Sequence, residues 1–326
     1  MVVPGLNNTH VGASKELKSI VVEAPASIAN IGPGFDVLAM AIEGLSDRVK
    51  IVVEQGAGNI IVESKGIKVP DGKCNVAYRV VKKAIEEYGL HDKDFYVTVF
   101  KGVPVSLGLG SSGATAAATI YALSKVLDLD LDIRELIRLA GEGEALAAGS
   151  PHYDNVAASL LGGIVIVDPV SMNAYKIDVK KDFWIAIVSP EISFGFKKTM
   201  LARSLLPREI TIDACVKQYA NIAKMIHALY QEDLELFGES ISMDYIAEPY
   251  RSKLIPGYWE LKKIARENGA LGFNIAGAGP SVFSIYRNEV DAYRAGTKIM
   301  EYLLNIGVKS RLYVTKISNQ GARIVG

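Results

Sequence analysis

The chain has 326 residues, enough to bury a large core and to divide into two domains more readily than to form one. Its 36 basic and 36 acidic residues cancel to a formal net charge of zero, with none of the basic excess or striping that marks a nucleic-acid binder. Cys74 and Cys215 lie far apart and outside any C-x-x-C spacing, which suits a reducing, cytoplasmic compartment and offers no metal site. No apolar run reaches the ~18–20 residues of a membrane span.

Residues 1–18 are mixed and polar, without a signal pattern, and read as a loosely ordered leader. Strands are predicted over 19–23, 48–54 and 60–63, where β-branched residues alternate or run together between Gly-rich turns. An amphipathic helix over 75–88 closes on Gly89, and a strand follows over 95–100. Helices are predicted over 113–127 and 133–146, the first so rich in small residues that it must pack tightly. A strand over 162–167 ends this set. Asp168-Pro169 then breaks the pattern, which places a domain boundary near 170 and gives domains 19–170 and 171–326. A second αβ set begins with 181–189. It continues through helices over 213–230 and 258–268, a strand–loop–strand over 273–285, a helix over 289–304 and a last strand over 312–316. Mixed order of this kind supports α+β or α/β without choosing between them.

The most informative stretch is Pro104-Val105-Ser106-Leu107-Gly108-Leu109-Gly110-Ser111-Ser112-Gly113-Ala114. Glycines let backbone N–H groups close around an anion, two serines add hydroxyls, and the helix that follows offers unpaired N–H groups and a positive dipole end. Gly108, Gly110 and Gly113 also satisfy G-x-G-x-x-G, with Asp128 and Asp130 roughly 20 residues on. A dinucleotide site needs a strand running straight into its first glycine, however, and Lys101-Gly102-Val103-Pro104 intervenes. No lysine follows Gly110 or Gly113, so this is not a Walker A loop. A plain Gly-Ser turn is the bland alternative.

Two further segments join this one. Residues 24–36 read Ala-Pro-Ala-Ser-Ile-Ala-Asn-Ile-Gly-Pro-Gly-Phe-Asp, and residues 275–282 read Ile-Ala-Gly-Ala-Gly-Pro-Ser-Val. With the glycine loop between them, they resemble the three ordered motifs of the GHMP small-molecule kinases, the group of galactokinase, homoserine kinase and mevalonate kinase. Three stretches look most like the homoserine-kinase branch. They are the wording of the first motif, His152-Tyr153-Asp154-Asn155, and Glu248-Pro249-Tyr250-Arg251-Ser252-Lys253-Leu254. The resemblance covers about residues 20–315. It implies an α+β protein of two domains. The N-terminal one would be of ribosomal-protein type with a left-handed βαβ crossover, against the general right-handed preference. The C-terminal one would be ferredoxin-like, and the active site would lie in the cleft between them.

It also implies the chemistry. ATP would sit on residues 104–114, with Asn75 near its adenine or ribose. Magnesium, which takes oxygen ligands and keeps several waters, would be held by Ser112 and by Glu144, eight residues before His152. Taken alone, Glu144 is most simply a solvated helix charge. Homoserine's carboxylate suits an arginine fork, and the motifs place Arg203 and Arg251 there. Asp36 would meet its ammonium, Asn30 and Asn155 would orient its hydroxyl, and His152 and Gly277 would line the pocket. Each has a plainer alternative: a surface arginine, a turn aspartate, a packed histidine, a tight turn around Gly277. No general base is singled out. Asp154 is the acid in the right motif, and a loose transition state lessens the need for one.

The expectation is therefore an ATP- and magnesium-dependent homoserine kinase, in a group whose members are often homodimers, with small-molecule partners and neither nucleic acid nor membrane. A kinase of shikimate or mevalonate is the alternative within the family. A nicotinamide-dependent oxidoreductase and a catalytically dead binding protein are the alternatives outside it.

Overall fold

The computed structural model describes residues 17–148, 151–192 and 198–326. The leader expected over 1–18 lies almost wholly outside them. Two long antiparallel strands, β1 (Lys18–Ala29) and β2 (Leu38–Gln55), form the spine of the first sheet. Their pairing shifts between Pro25 and Ala26. An irregularity of this kind tolerates a proline inside a sheet and turns the strand over. Before it, Val22 and Ala24 face the first core; after it, Ala26 and Ile28 face a second core shared with the C-terminal half. β1 is therefore buried on both faces along its last eight residues, four of which are Ala or Ser.

The first sheet runs β11-β1-β2-β4-β3, with β3 (Ile60–Gly66), β4 (Lys93–Lys101) and β11 (Arg323–Ile324); β5 (Ile164–Val167) and β6 (Ala174–Ile177) extend it from β2. Its one parallel pair is β3 with β4, joined across α1 (Val76–Tyr88). α1 starts on the Asn75 side chain, which accepts from the Ala77 N–H at 2.9 Å, and ends on Gly89 in a left-handed conformation. α2 (Ser111–Val126) is apolar nearly all round, as a helix in the middle of a domain must be. It packs against β1, β2, α1, α3 (Ile133–Ala148) and α4 (Tyr153–Leu161).

The second sheet has the order β10-β7-β9-β8, antiparallel throughout, from β7 (Trp184–Pro190), β8 (Gly272–Ile275), β9 (Val282–Tyr286) and β10 (Ser310–Thr315). In chain order that is strand four, one, three, two, the ferredoxin-like arrangement, with α10 (Glu289–Asn305) in its second crossover. Its first crossover holds α5 (Lys198–Ser204), α6 (Ile212–Gln231), α7 (Leu234–Ile241), α8 (Glu248–Arg251) and α9 (Tyr258–Glu267). A boundary at residue 170 would cut between the paired strands β5 and β6 and would detach β11 from the sheet it completes. We place the division between Ile177 and Trp184, with the C-terminal tail returning to the first unit. Phe183, Ile185, Phe283 and Ile285 join Ile28, Leu38 and Met40 in the core that seals the two units.

Candidate active site

The three motifs meet at the top of that shared core, tied by backbone hydrogen bonds. The Ser27 N–H donates to the Leu109 carbonyl at 3.2 Å, and Gly277 N–H to Ala29 at 3.2 Å. Ser281 N–H donates to Leu107 at 3.4 Å. This approach requires glycine: a Cβ on Gly108 would stand 2.2 Å from the Ala276 carbonyl oxygen. The first motif carries backbone strain as well. Asn30, Ile31 and Asp36 all have positive φ, an unusual state for a β-branched residue such as Ile31. Together the motifs border a cleft of about 430 Å³.

At one end lies the glycine loop. Val105, Ser106, Gly108, Leu109, Gly110, Ser111 and Ser112 line the cleft; Pro104, Leu107, Gly113 and Ala114 do not. The last two are buried in the first turns of α2. The two serines have different work. Ser111 Oγ donates to the Val103 carbonyl at 3.0 Å and braces the loop. Ser112 Oγ donates to Glu144. Glu144 is 1% exposed, whereas Glu142, on the other side of α3, meets Lys83 at 2.9 Å in partial solvent. Of two glutamates a turn-half apart, only Glu144 points inward. Its carboxylate also meets His152, at 3.4 Å from Nδ1 and 3.3 Å from the backbone N–H.

The remaining expected residues stand around it, His152 against Glu144, Asn155 against Gly110 and Gly113, and Gly277 against Gly108. Asn30, Asp36, His152, Asn155, Arg203, Arg251 and Gly277 all line the same cleft, drawn from five separate segments. Arg251, 5% exposed, donates to the carbonyls of Gly277 at 3.1 Å and Ala202 at 3.3 Å. Its Nη2 has no partner among the described residues. Arg203 on α5 is half-exposed and meets Asp36 at 3.0 Å. Both guanidinium groups lie over the Phe35 ring, at 4.9 Å for Arg251 and 5.9 Å for Arg203. Asn155 accepts from Ser27 Oγ at 2.9 Å.

Two of the expected residues have more structural roles than the motif suggests. Asn30 Nδ2 donates to the Gly277 carbonyl at 2.9 Å, and its Oδ1 accepts from the Asp36 N–H at 3.1 Å, so it clamps the first motif to the third. Asn75 lines the cleft, but besides capping α1 its amide donates to Ser64 Oγ at 2.9 Å and the Pro70 carbonyl at 2.8 Å. Both its N–H groups are spent, which leaves it shape rather than donors for a nucleotide.

The electrostatics follow from burial. Desolvation pushes Asp154 up to about 7; the neighbouring charge of Asp36 adds to this, and His152 opposes it. For His152 burial pulls downward, but the hydrogen bond and charge of Glu144, with Asp154 and Asp36 behind, outweigh it and raise the imidazole. Desolvation lowers Arg251.

The sequence reading missed Lys101 and Thr115, which also line the cleft, and their buried partner Asp47. A signal existed. Asp47 shares the inward-facing register of Val49, Ile51 and Val53 on β2, and Lys101 that of Phe95, Val97 and Val99 on β4. A charge on the core-facing parity of a strand needs a partner. Phe35, Lys68 and Thr199 complete what was not singled out.

Among the described residues no group of three or more His, Cys, Asp or Glu could hold a metal ion, and no helix is long and apolar enough to cross a membrane. The G-x-G-x-x-G stretch joins β4 to α2, and β4 pairs antiparallel with β2, so it is not the first turn of a doubly wound parallel sheet. Known proteins agree. Residues 75–163 match the family model of the GHMP kinases N terminal domain, and residues 225–303 that of the GHMP kinases C terminal. The chain is 40% identical to the homoserine kinase of Methanopyrus kandleri over 279 residues, 85% of this chain and 90% of that one. It is 36% identical to that of Thermoplasma volcanium over 287 residues, 88% and 91% respectively. The crystal structure of homoserine kinase from Cytophaga hutchinsonii superposes with a TM-score of 0.85 at 31% identity, covering 98% of this chain and 100% of that one. The chain belongs to the GHMP kinases, enzymes that move a phosphoryl group from ATP to an alcohol.

Proposed function

We propose that the chain is a homoserine kinase, transferring the γ-phosphoryl group of ATP to the hydroxyl of L-homoserine to give O-phospho-L-homoserine and ADP. The hydroxyl oxygen forms the new bond to phosphorus, the bond to the β,γ-bridging oxygen breaks, and the hydroxyl proton is released. The single observation that carries this reading is the presence, in one cleft, of an anion-binding helix start and two guanidinium groups. One end suits the nucleotide phosphates and the other a small carboxylate. The relatives' own substrate points the same way.

Phosphoryl transfer asks a protein mainly for alignment and for donors on the phosphate oxygens. The loop N–H groups and the first turn of α2 supply those donors. Magnesium fits the donor chemistry here: Ser112 and Glu144 offer two hard oxygens already in contact, and the phosphates and waters would complete the shell. Bound there, the ion would neutralise charge on the transferring group. Arg251, with its spare Nη2, and Arg203 would take the acceptor carboxylate, and Asp36 its ammonium. Asn155 would face the hydroxyl, beside His152. A cytoplasmic location is consistent with the two unpaired cysteines.

A phosphoryl-transfer screen over homoserine, shikimate, mevalonate and pantoate tests the reading. Homoserine should give by far the highest kcat/KM. A higher value for another alcohol would overturn the acceptor assignment and leave the kinase fold untouched.

A further inference from the structure

We infer that Asp47 is a positioning residue, a buried anchor that fixes both ends of the phosphate loop through a Lys101–Thr115 bridge; this rests on the kinase reading of that loop. Asp47 is 0% exposed. Its Oδ1 accepts from the N–H groups of Gly102 at 3.0 Å and Val103 at 2.9 Å, where the chain enters the loop. Its Oδ2 accepts from Thr115 Oγ1 at 2.6 Å, where the chain leaves it, and from Nζ of Lys101, the last residue of β4 before the loop. Lys101 Nζ also donates to the Ser111 carbonyl at 2.6 Å and to Thr115 Oγ1 at 3.0 Å. One carboxylate thus holds the entry directly and the exit through an ammonium and a hydroxyl.

An ammonium has three N–H donors, and Lys101 spends all three on these partners. Although it borders the cleft, it has no donor left for a phosphate, so its effect passes through the loop it holds. A buried ion pair is weak evidence for stability, because well-packed apolar residues of similar volume often serve as well. The placement of this pair, under a loop that must present its N–H groups to an anion within tenths of an ångström, gives it a positioning role instead.

The charge-neutral double variant Asp47→Leu/Lys101→Met separates anchoring from simple attraction, since it leaves the net charge of the region unchanged. Three quantities are measured on the full chain without divalent metal: ADP affinity by fluorescent-nucleotide competition, hydrogen exchange of amides 105–111 in the nucleotide-free protein, and melting temperature. We expect melting within about 4 °C of wild type, an ADP dissociation constant at least ~10-fold higher, and faster exchange in the loop. Thr115→Val, which removes only the hydroxyl link, should weaken ADP by about threefold. Wild-type ADP affinity and loop protection in the double variant would overturn the inference. If the double variant does not fold, unchanged ADP affinity in Thr115→Val overturns it and a weakened one supports it. Wild-type protein that binds ADP but phosphorylates another alcohol would refute the homoserine reading and leave the anchor standing.

Discussion

The two ends of the cleft are built differently. The phosphate end is local: one stretch of eleven residues, 104–114, gives the loop and the helix start, and its donors are backbone N–H groups held from below by a buried ionic bridge. The end proposed for the acceptor is assembled: Asn30 and Asp36, His152 and Asn155, Arg203, Arg251 and Gly277 come from both structural units, and His152, Asn155 and Gly277 touch the phosphate end directly. Backbone geometry serves any nucleoside triphosphate, whereas long side chains from distant segments can be exchanged to suit one alcohol. Chemistry common to a family therefore belongs to the first end and specificity to the second.

That division can be broken experimentally. The largest effect is expected at the phosphate end. Ser112→Ala and Glu144→Gln should each lower kcat by at least ~100-fold, because charge developing on the transferring group loses its stabilisation. Folding should survive, as circular dichroism and melting curves would show. Near-wild-type turnover of both variants at saturating magnesium would remove this end from the chemistry. Next, Arg251→Leu should cost ~2–4 kcal/mol of homoserine binding, read as a higher KM for homoserine, because it strands a desolvated carboxylate. ATP affinity should barely move.

Asp154 also lines the cleft and sharpens the comparison through pH. It takes up its proton near 7 when folded, against 3.8 for an ordinary aspartate. Between those values the folded state holds more protons than the unfolded one. The contribution of Asp154 to stability therefore falls as pH rises through the window, with a slope approaching ~1.4 kcal/mol per pH unit, and levels off above it. Asp154→Asn should flatten the dependence of urea-unfolding free energy between pH 4 and 7 and be the more stable protein at pH 8. An unchanged slope in the variant would mean that Asp154 is not the group responsible. The smallest effect is expected for Arg203→Leu. Its side chain is half-exposed and already paired with Asp36, so a loss of about 1 kcal/mol in homoserine KM fits a screened interaction.

How much of this was legible follows the same division. The loop, α1, α2, α3 and the β8–β9 hairpin stand out because their signals are contiguous: glycines beside helix formers, caps, and apolar runs of usual length. The short helices α4, α5 and α8, which carry or border the acceptor residues, were missed, since four to nine residues show too little periodicity. Glu144 and Arg251 were placed through family motifs, because nothing local distinguishes a buried glutamate or arginine from a solvated one. The Asp47–Lys101 bridge spans 54 positions and forms only when β2 and β4 pair, although the inward parity of both charges was there to be read. Asn75 lines the cleft as its motif position suggested, and its amide is also occupied in holding α1 and its neighbours, which no local signal announced.

The most direct test of the two-ended cleft is an initial-rate grid in which ATP and homoserine are varied together, on wild type, Glu144→Gln and Arg251→Leu, with an esterified homoserine as a second acceptor. We expect the Glu144 change to appear in kcat and the Arg251 change in the homoserine KM with the ATP KM nearly constant. The ester should be a poor substrate for wild type and much less disfavoured by Arg251→Leu. A rise in the ATP KM without one for homoserine, or an ester phosphorylated as well as homoserine by the wild-type enzyme, would contradict the assignment of the arginine end to the acceptor carboxylate.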